Sequence, residues 1–139
     1  MTPDAMAALH ARAFTDQRPW TAAEIATLLD SPHTVLLTDP MGFLLGRVLA
    51  GEAEILTLAV DPLVQRQGRA GWLLEQFLAL ALTDGATQAF LDVAEDNAPA
   101  RALYTQAGFR MAGRRRGYFA RAGGPAVDAI LMSRALPDS

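Results

Sequence analysis

A single mixed α/β domain is what this sequence predicts, and three observations carry the prediction. Two capped helical segments come first. Three strand-like runs with very short links follow, and from about residue 53 apolar strands alternate with amphipathic helices. The order is ααβββαβαββ, an α/β (α+β) arrangement with a mixed central sheet flanked by helices, read as one domain over residues 1–139. The length agrees, because 139 residues suit one domain that buries roughly two-thirds of its unfolded surface. A content of 51% hydrophobic and 19% charged residues carries no signature of disorder.

Each element has a local reason. Thr2-Pro3 reads as an N-cap with proline at the first helical position, opening a helix to about residue 14. Thr21 and Glu24 have the spacing of a capping box, and Trp20 and Ile25 that of a hydrophobic staple, so a second helix is expected over 21–30. The period then changes. Residues 33–38 and 43–50 read as strands joined at Asp39-Pro40-Met41-Gly42, and Gly51-Glu52 links them tightly to a third strand over 53–60. Links this short imply an antiparallel meander. A helix over 68–83 carries Ala70, Leu73, Leu74, Phe77, Leu78 and Ala81 on one stripe. Residues 88–94 form a strand with Phe90, Asp92 and Ala94 on one face and Leu91 and Val93 on the other. Asn97 can cap a short helix over 98–107 whose buried side holds Ala100, Leu103, Tyr104 and Ala107, with Gly108 after it. Two closing strands, 109–113 and 127–134, bracket an irregular Arg/Gly segment.

Composition removes several function classes. A net charge of −3 argues against a nucleic-acid binder. Zero cysteines exclude disulfides, thiol catalysis and thiolate metal sites, and fit a reducing cytoplasm. His10 and His33 have no carboxylate at ligand spacing, so no metal is predicted. The first residues lack a signal-peptide pattern, and no apolar run reaches the roughly 18 residues of a membrane span.

The stretch 59–77, AVDPLVQRQGRAGWLLEQF, runs an apolar strand through a Gly/Arg loop into a helix start. Such a place can hold a phosphate on backbone N–H groups. It carries neither G-x-x-x-x-G-K-[ST] nor G-x-G-x-x-G. Gln65-x-x-Gly68-x-Ala70 instead resembles the Q/R-x-x-G-x-G/A signature of the GNAT N-acetyltransferases, whose loop cradles the pyrophosphate of acetyl-coenzyme A. Downstream, EDNAPARALYTQAGF resembles the same family's Asn-x-x-Ala-x-x-x-Tyr-x-x-x-Gly-Phe element. RPWTAAEI, FLDVAEDN and RRRGYFARAGGPAVDAILM look like parts of the RimI-type ribosomal-protein-alanine N-acetyltransferases.

The resemblance implies attack of a neutral amine on the thioester of acetyl-CoA. The amides of Gln67, Gly68, Arg69, Ala70 and Gly71 would face the pyrophosphate behind Gln65, with Arg66 and Arg69 as added charge or as solvated loop cations. The family often has glycine at Ala70 and arginine at Gly71, so the small residue has moved by one. The edge of Leu58, Ala59 and Val60 would meet the pantetheine arm, and the amide of Val60 or Ala59 would polarise the thioester carbonyl. Asn97 would touch pantetheine, cap its helix, or both. Tyr104 would stand near the sulfur and give its proton to the departing thiolate; the alternative is a core tyrosine. Asp92 stands where related enzymes carry a glutamate proposed as general base, and acts through a water or by binding the substrate ammonium.

Glu52 and Glu54 either face the acceptor or keep an edge soluble. Trp20 is a staple or a groove wall. Arg114-Arg115-Arg116 is a solvated face or, with Tyr118, the border of the acceptor cleft. Phe119 replaces a tyrosine of the related enzymes. The implied partner is a peptide or protein N-terminus, foremost a ribosomal protein beginning in alanine, with no nucleic acid and no membrane, and the chain a monomer or weak dimer. The rivals are an acetyltransferase of small amines, amino acids or antibiotics, and an acyl-CoA-binding module without turnover.

Overall fold

The computed structural model describes residues 1–15, 18–65, 67–121 and 123–137. Helix α1 spans Pro3–Ala13 and α2 Ala22–Leu29, followed by strands β1 (Thr34–Asp39), β2 (Gly42–Leu49) and β3 (Glu52–Val60). After a 3-10 turn at Pro62–Val64 come α3 (Arg69–Thr83), β4 (Gln88–Ala94), α4 (Ala98–Gln106), β5 (Arg110–Phe119) and β6 (Val127–Ala135). The expected order is the observed one. The caps form as the sequence implies: Thr2 Oγ1 accepts from Ala5 N, and Thr21 and Glu24 close a reciprocal capping box.

Six strands form one sheet in the order β1-β2-β3-β4-β6-β5. All neighbours are antiparallel except β3 and β4, which α3 joins in parallel. Each face carries a core. On one, Leu73, Leu74, Phe77 and Ala81 of α3 pack with Tyr104 of α4 on Ala53, Ile55, Leu91 and Val93. Full burial of each of the larger α3 side chains contributes roughly 1.5–3 kcal/mol. On the other, Met6 and Leu9 of α1 and Ile25 of α2 meet Phe43, Leu45 and Ala59, with Trp20 packed against them. Among the described residues no helix is long and apolar enough to cross a membrane.

Two features open the sheet between β3 and β4. The β2–β3 register shifts at Leu45/Gly46, where Thr57 and Ile55 are the partners and Leu56 is the extra residue. The ladder between β3 and β4 runs only from Glu52↔Gln88 to Ile55↔Leu91 and stops just before that bulge. A bulged strand bends, so beyond Ile55 the edge of β3 turns away from β4. Gly46, at the shift, leaves room for the ring of Phe77: a Cβ there would lie 2.5 Å from Phe77 Cε1.

One boundary corrects the sequence reading. The segment expected to be irregular after residue 113 continues as strand to Phe119, with two register shifts against β6. Eight of its ten residues are exposed, all but Gly113 and Phe119, so it lacks an apolar face to mark it.

Candidate active site

The opening between β3 and β4 is the waist of a cleft of about 1070 Å³ that runs from the start of α3 to the α1–α2 connection. At the α3 end, Gly68 sits in the left-handed region at φ +79° and the helix has no side-chain cap, whereas Thr2, Thr21 and Asn97 cap the other three helices. The first ladder bond is Trp72 N to Gly68 O at 3.0 Å, leaving the amides of Arg69, Ala70 and Gly71 without intrahelical partners. These N–H groups lie at the positive end of the macrodipole. Gly68, Arg69, Ala70 and Gly71 all line the cleft.

Side chains around this loop are used structurally. Arg69 Nη1 donates to both oxygens of Asp39 at 3.1 and 2.9 Å, and Asp39 Oδ1 also accepts from Met41 N. The guanidinium therefore ties α3 to the β1–β2 turn and is not a solvated cation. Gln65 Nε2 donates to Val60 O at 3.2 Å. A strand residue's N–H and C=O point to the same edge, so Val60 presents its amide on the opened side with its carbonyl held by Gln65. Two residues alternate with it in the opposite sense, since Asp61 N donates to Met41 O on the β2 side. Ala59 thus turns its amide to β2, and neither Ala59 nor Gln67 is among the residues lining the cleft. Leu58 lines it. Arg66 lies outside the described residues. Asp61, buried, caps the 3-10 turn through Leu63 N at 3.0 Å and takes Arg12 of α1 at 3.1 Å; the Leu63 amide and then Arg12 hold its carboxyl below the usual range.

The waist carries two titratable side chains. Asp92 and Tyr104 both line it, as does Asn97, whose Oδ1 accepts from Ala100 N at 3.2 Å, so the cap and a cleft position coexist. Tyr104 is 7% exposed and meets Phe109 edge-on at 5.8 Å. Burial pushes its phenol up, with no charge or hydrogen bond contributing; the hydroxyl stays protonated and keeps a hydrogen to donate. Asp92 is not alone on its strand. Arg115 Nε donates to Asp92 Oδ1 at 3.1 Å across β6, and Arg115 lies over the ring of Tyr118, 5.6 Å from its centroid. Glu54, on the same face of the sheet, is paired with Arg47.

The far end is aromatic. His10 is buried between Phe14, at 4.5 Å, and Trp20, at 5.3 Å. Burial pushes its imidazole down to about 4, against a smaller opposing pull from Glu24, so it is neutral. Trp20 therefore serves both expectations, packing with Ile25 and lining the cleft with Tyr118 and Phe119. His10 is the wall residue the sequence reading passed over, although Met6, Leu9 and His10 share the spacing of a core-facing helical stripe. Arg114 is no solvated cation, since it pairs with Glu95 and Asp128 at 2.9 Å each.

Residues 4–109 match the acetyltransferase (GNAT) family. The chain belongs to that family. Within it, this acetyltransferase is similar to the [ribosomal protein bS18]-alanine N-acetyltransferase of Escherichia coli strain K12, 34% identical over 142 residues that cover 99% of this chain and 94% of that protein. The enzyme of the same name from Salmonella typhimurium is 41% identical over 97 residues, 70% of this chain but only 64% of that relative's length. The crystal structure of the ribosomal-protein-S18-alanine N-acetyltransferase from Escherichia coli superposes with a TM-score of 0.85 at 30% identity, covering 99% of this chain and 88% of the other. The RimI-type resemblance is thereby borne out, and the acetyltransferase has the GNAT sheet and helix order.

Proposed function

We propose that this acetyltransferase moves the acetyl group of acetyl-CoA to the N-terminal α-amine of a protein, with a ribosomal protein beginning in alanine as the foremost acceptor. The observation that carries it is the continuity of one cleft: uncapped helix amides at one end, Asp92 and Tyr104 at the waist, an aromatic wall at the other. The relatives' names supply the acceptor.

The residues present fit the donor. A pyrophosphate needs N–H groups and close backbone approach; Arg69, Ala70 and Gly71 offer the amides, and Gly68 has open space around it. Acetyl-CoA supplies an activated acyl group on a sulfur whose conjugate thiol has a pKa near about 8.5, a tolerable leaving group. Val60 N–H donates toward the thioester carbonyl as its oxygen gains charge. Asp92 takes the proton that the α-ammonium must lose, directly or through a water; with a pKa near about 8 the amine needs only modest help. The amine nitrogen then bonds to the acyl carbon as the carbon–sulfur bond breaks, and the extra proton on nitrogen passes through water to the departing thiolate, giving the amide and the free thiol. Tyr104 donates a hydrogen bond to the departing sulfur, and its raised pKa makes this a donor's role that leaves the phenol proton mostly in place. The wall of His10, Phe14, Trp20 and Tyr118 borders the acceptor.

The test is CoA release with acetyl-CoA and a panel: peptides beginning with alanine, serine or methionine, an N-terminally blocked lysine peptide, and free amines, with products read by mass spectrometry. One acetyl on the α-amine of the alanine peptide is the expected result. Turnover confined to free amines would replace the protein acceptor with a small one. Binding of acetyl-CoA without turnover of any acceptor would overturn the catalytic reading.

A further inference from the structure

The tri-arginine strand holds a group that the proposed chemistry does not use. Arg115 reaches from β5 over β6 to Asp92 and occupies Oδ1; Oδ2 has no partner among the described residues. The reach is built. Between Arg115↔Ala129 and Phe119↔Val127 three residues of β5 face the single Asp128 of β6, and Asp128 pins this bulge by accepting from Gly117 N at 2.8 Å, with Gly117 at φ +61°. Arg114 holds Asp128 from the other side at 2.9 Å. The bulge sets Tyr118 on the cleft wall with the Arg115 guanidinium over its ring. A cation that only solubilised an edge would need none of this.

We infer that Arg115 is a positioning residue for the acceptor amine: by bonding Oδ1 it fixes the short Asp92 carboxylate with Oδ2 left for the amine, and its charge weakens the grip of that carboxylate on a protonated amine. The inference rests on the reading of Asp92 as proton acceptor. An aspartate with both oxygens free would bind an ammonium as a tight ion pair and hold it in the unreactive, protonated state. With one oxygen bonded to a guanidinium the carboxylate is held in one orientation with Oδ2 open, and the neutral amine is no longer so disfavoured. Arg115 therefore acts on turnover more than on binding.

Four proteins test this: wild type, Asp92→Asn, Arg115→Ala and the double variant, assayed for kcat and KM with the alanine peptide and for peptide Kd by calorimetry in the presence of CoA. Asp92→Asn should lower kcat by about a hundredfold. Arg115→Ala should lower kcat by about tenfold while the peptide binds as tightly as before or tighter, and in the Asp92→Asn background it should change kcat by less than about twofold. Arg115 is half-exposed on an edge strand, so its loss should leave the fold intact; Arg115→Gln repeats the measurement if the alanine variant does not fold. Equal losses in both backgrounds, an unchanged kcat, or a weakened Kd with kcat intact would each overturn the role of Arg115 while leaving Asp92 standing. An active Asp92→Asn would instead remove the proton-acceptor reading, and Arg115 with it.

Discussion

Gly46→Ala adds one methyl group at the point where the sheet bends, and its cost can be worked from contacts. The new Cβ would stand 2.5 and 2.7 Å from Phe77 Cε1 and Cζ and 2.9 Å from Glu54 O. Ordinary contact begins near about 3.5 Å, so ring and strand must separate by close to 1 Å. Phe77 has no room to yield, being fully buried among Leu44, Leu73 and Leu74. Overpacking of this kind costs about 1–3 kcal/mol. Gly46 is not in the left-handed region, so alanine also gains about 0.4–1 kcal/mol by restricting the unfolded chain. A net loss of about 1–2 kcal/mol remains, which for a chain of this size lowers Tm by roughly 2–8 °C. Thermal melts followed by circular dichroism measure it, with Phe77→Leu as the partner variant. In the Phe77→Leu background the alanine should cost at least about 1 kcal/mol less than in wild type, since the clashing ring is gone. A Gly46→Ala protein that melts with wild type, or a penalty independent of Phe77, would refute the packing argument.

Thr21→Ala breaks the capping box of α2 and should cost about 1 kcal/mol, read as a Tm lower by roughly 2–4 °C; an unchanged Tm would mean the box does not hold the helix. His10 titrates near 6.5 when unfolded and at about 4 in place, so the unfolded chain binds the proton first and stability, complete above pH 6.5, falls as the pH drops toward 4. Melts between pH 7.5 and 5 should show that decline, and His10→Gln should flatten it. Tyr104→Phe should lower kcat by about tenfold or more with KM within about twofold, because the donor acts only as sulfur departs. Burial holds the phenol above its ordinary value, so wild type should show no loss of kcat from Tyr104 ionisation below about pH 10. A Tyr104→Phe protein of full activity would make this a core tyrosine.

What was legible in the sequence is what neighbours in the chain decide. Thr2, Thr21 with Glu24, and Asn97 announce their helices because a cap acts within three residues. The α3 stripe fixes which face packs because period and burial coincide. β5 escaped because Arg114, Arg115 and Arg116 give it no buried side; it lies at the sheet edge with no helix over it, and its stability comes from β6 and from acids at positions 95 and 128. Asp92 was found through its motif, but its partner stands 23 residues on and reaches it across an intervening strand. Arg69 and Asp39, 30 residues apart, were hidden for the same reason. The choice between Val60 and Ala59 depended on which edge each amide takes, a matter of register that residue identity does not record.

The bulge in β3 makes the opening between β3 and β4 depend on the count of residues more than on their kind. Strand pairing is a matter of numbering, and Leu56 is the one residue of β3 for which β2 has no counterpart. Shortening the strand by that residue would let the numbering of β2 and β3 agree, straighten the strand, and allow the parallel ladder to zip onward past Leu91. The slot would close with every other side chain named above still present. Substitutions along β3 can leave this opening intact, whereas loss of the one residue at position 56 would erase it.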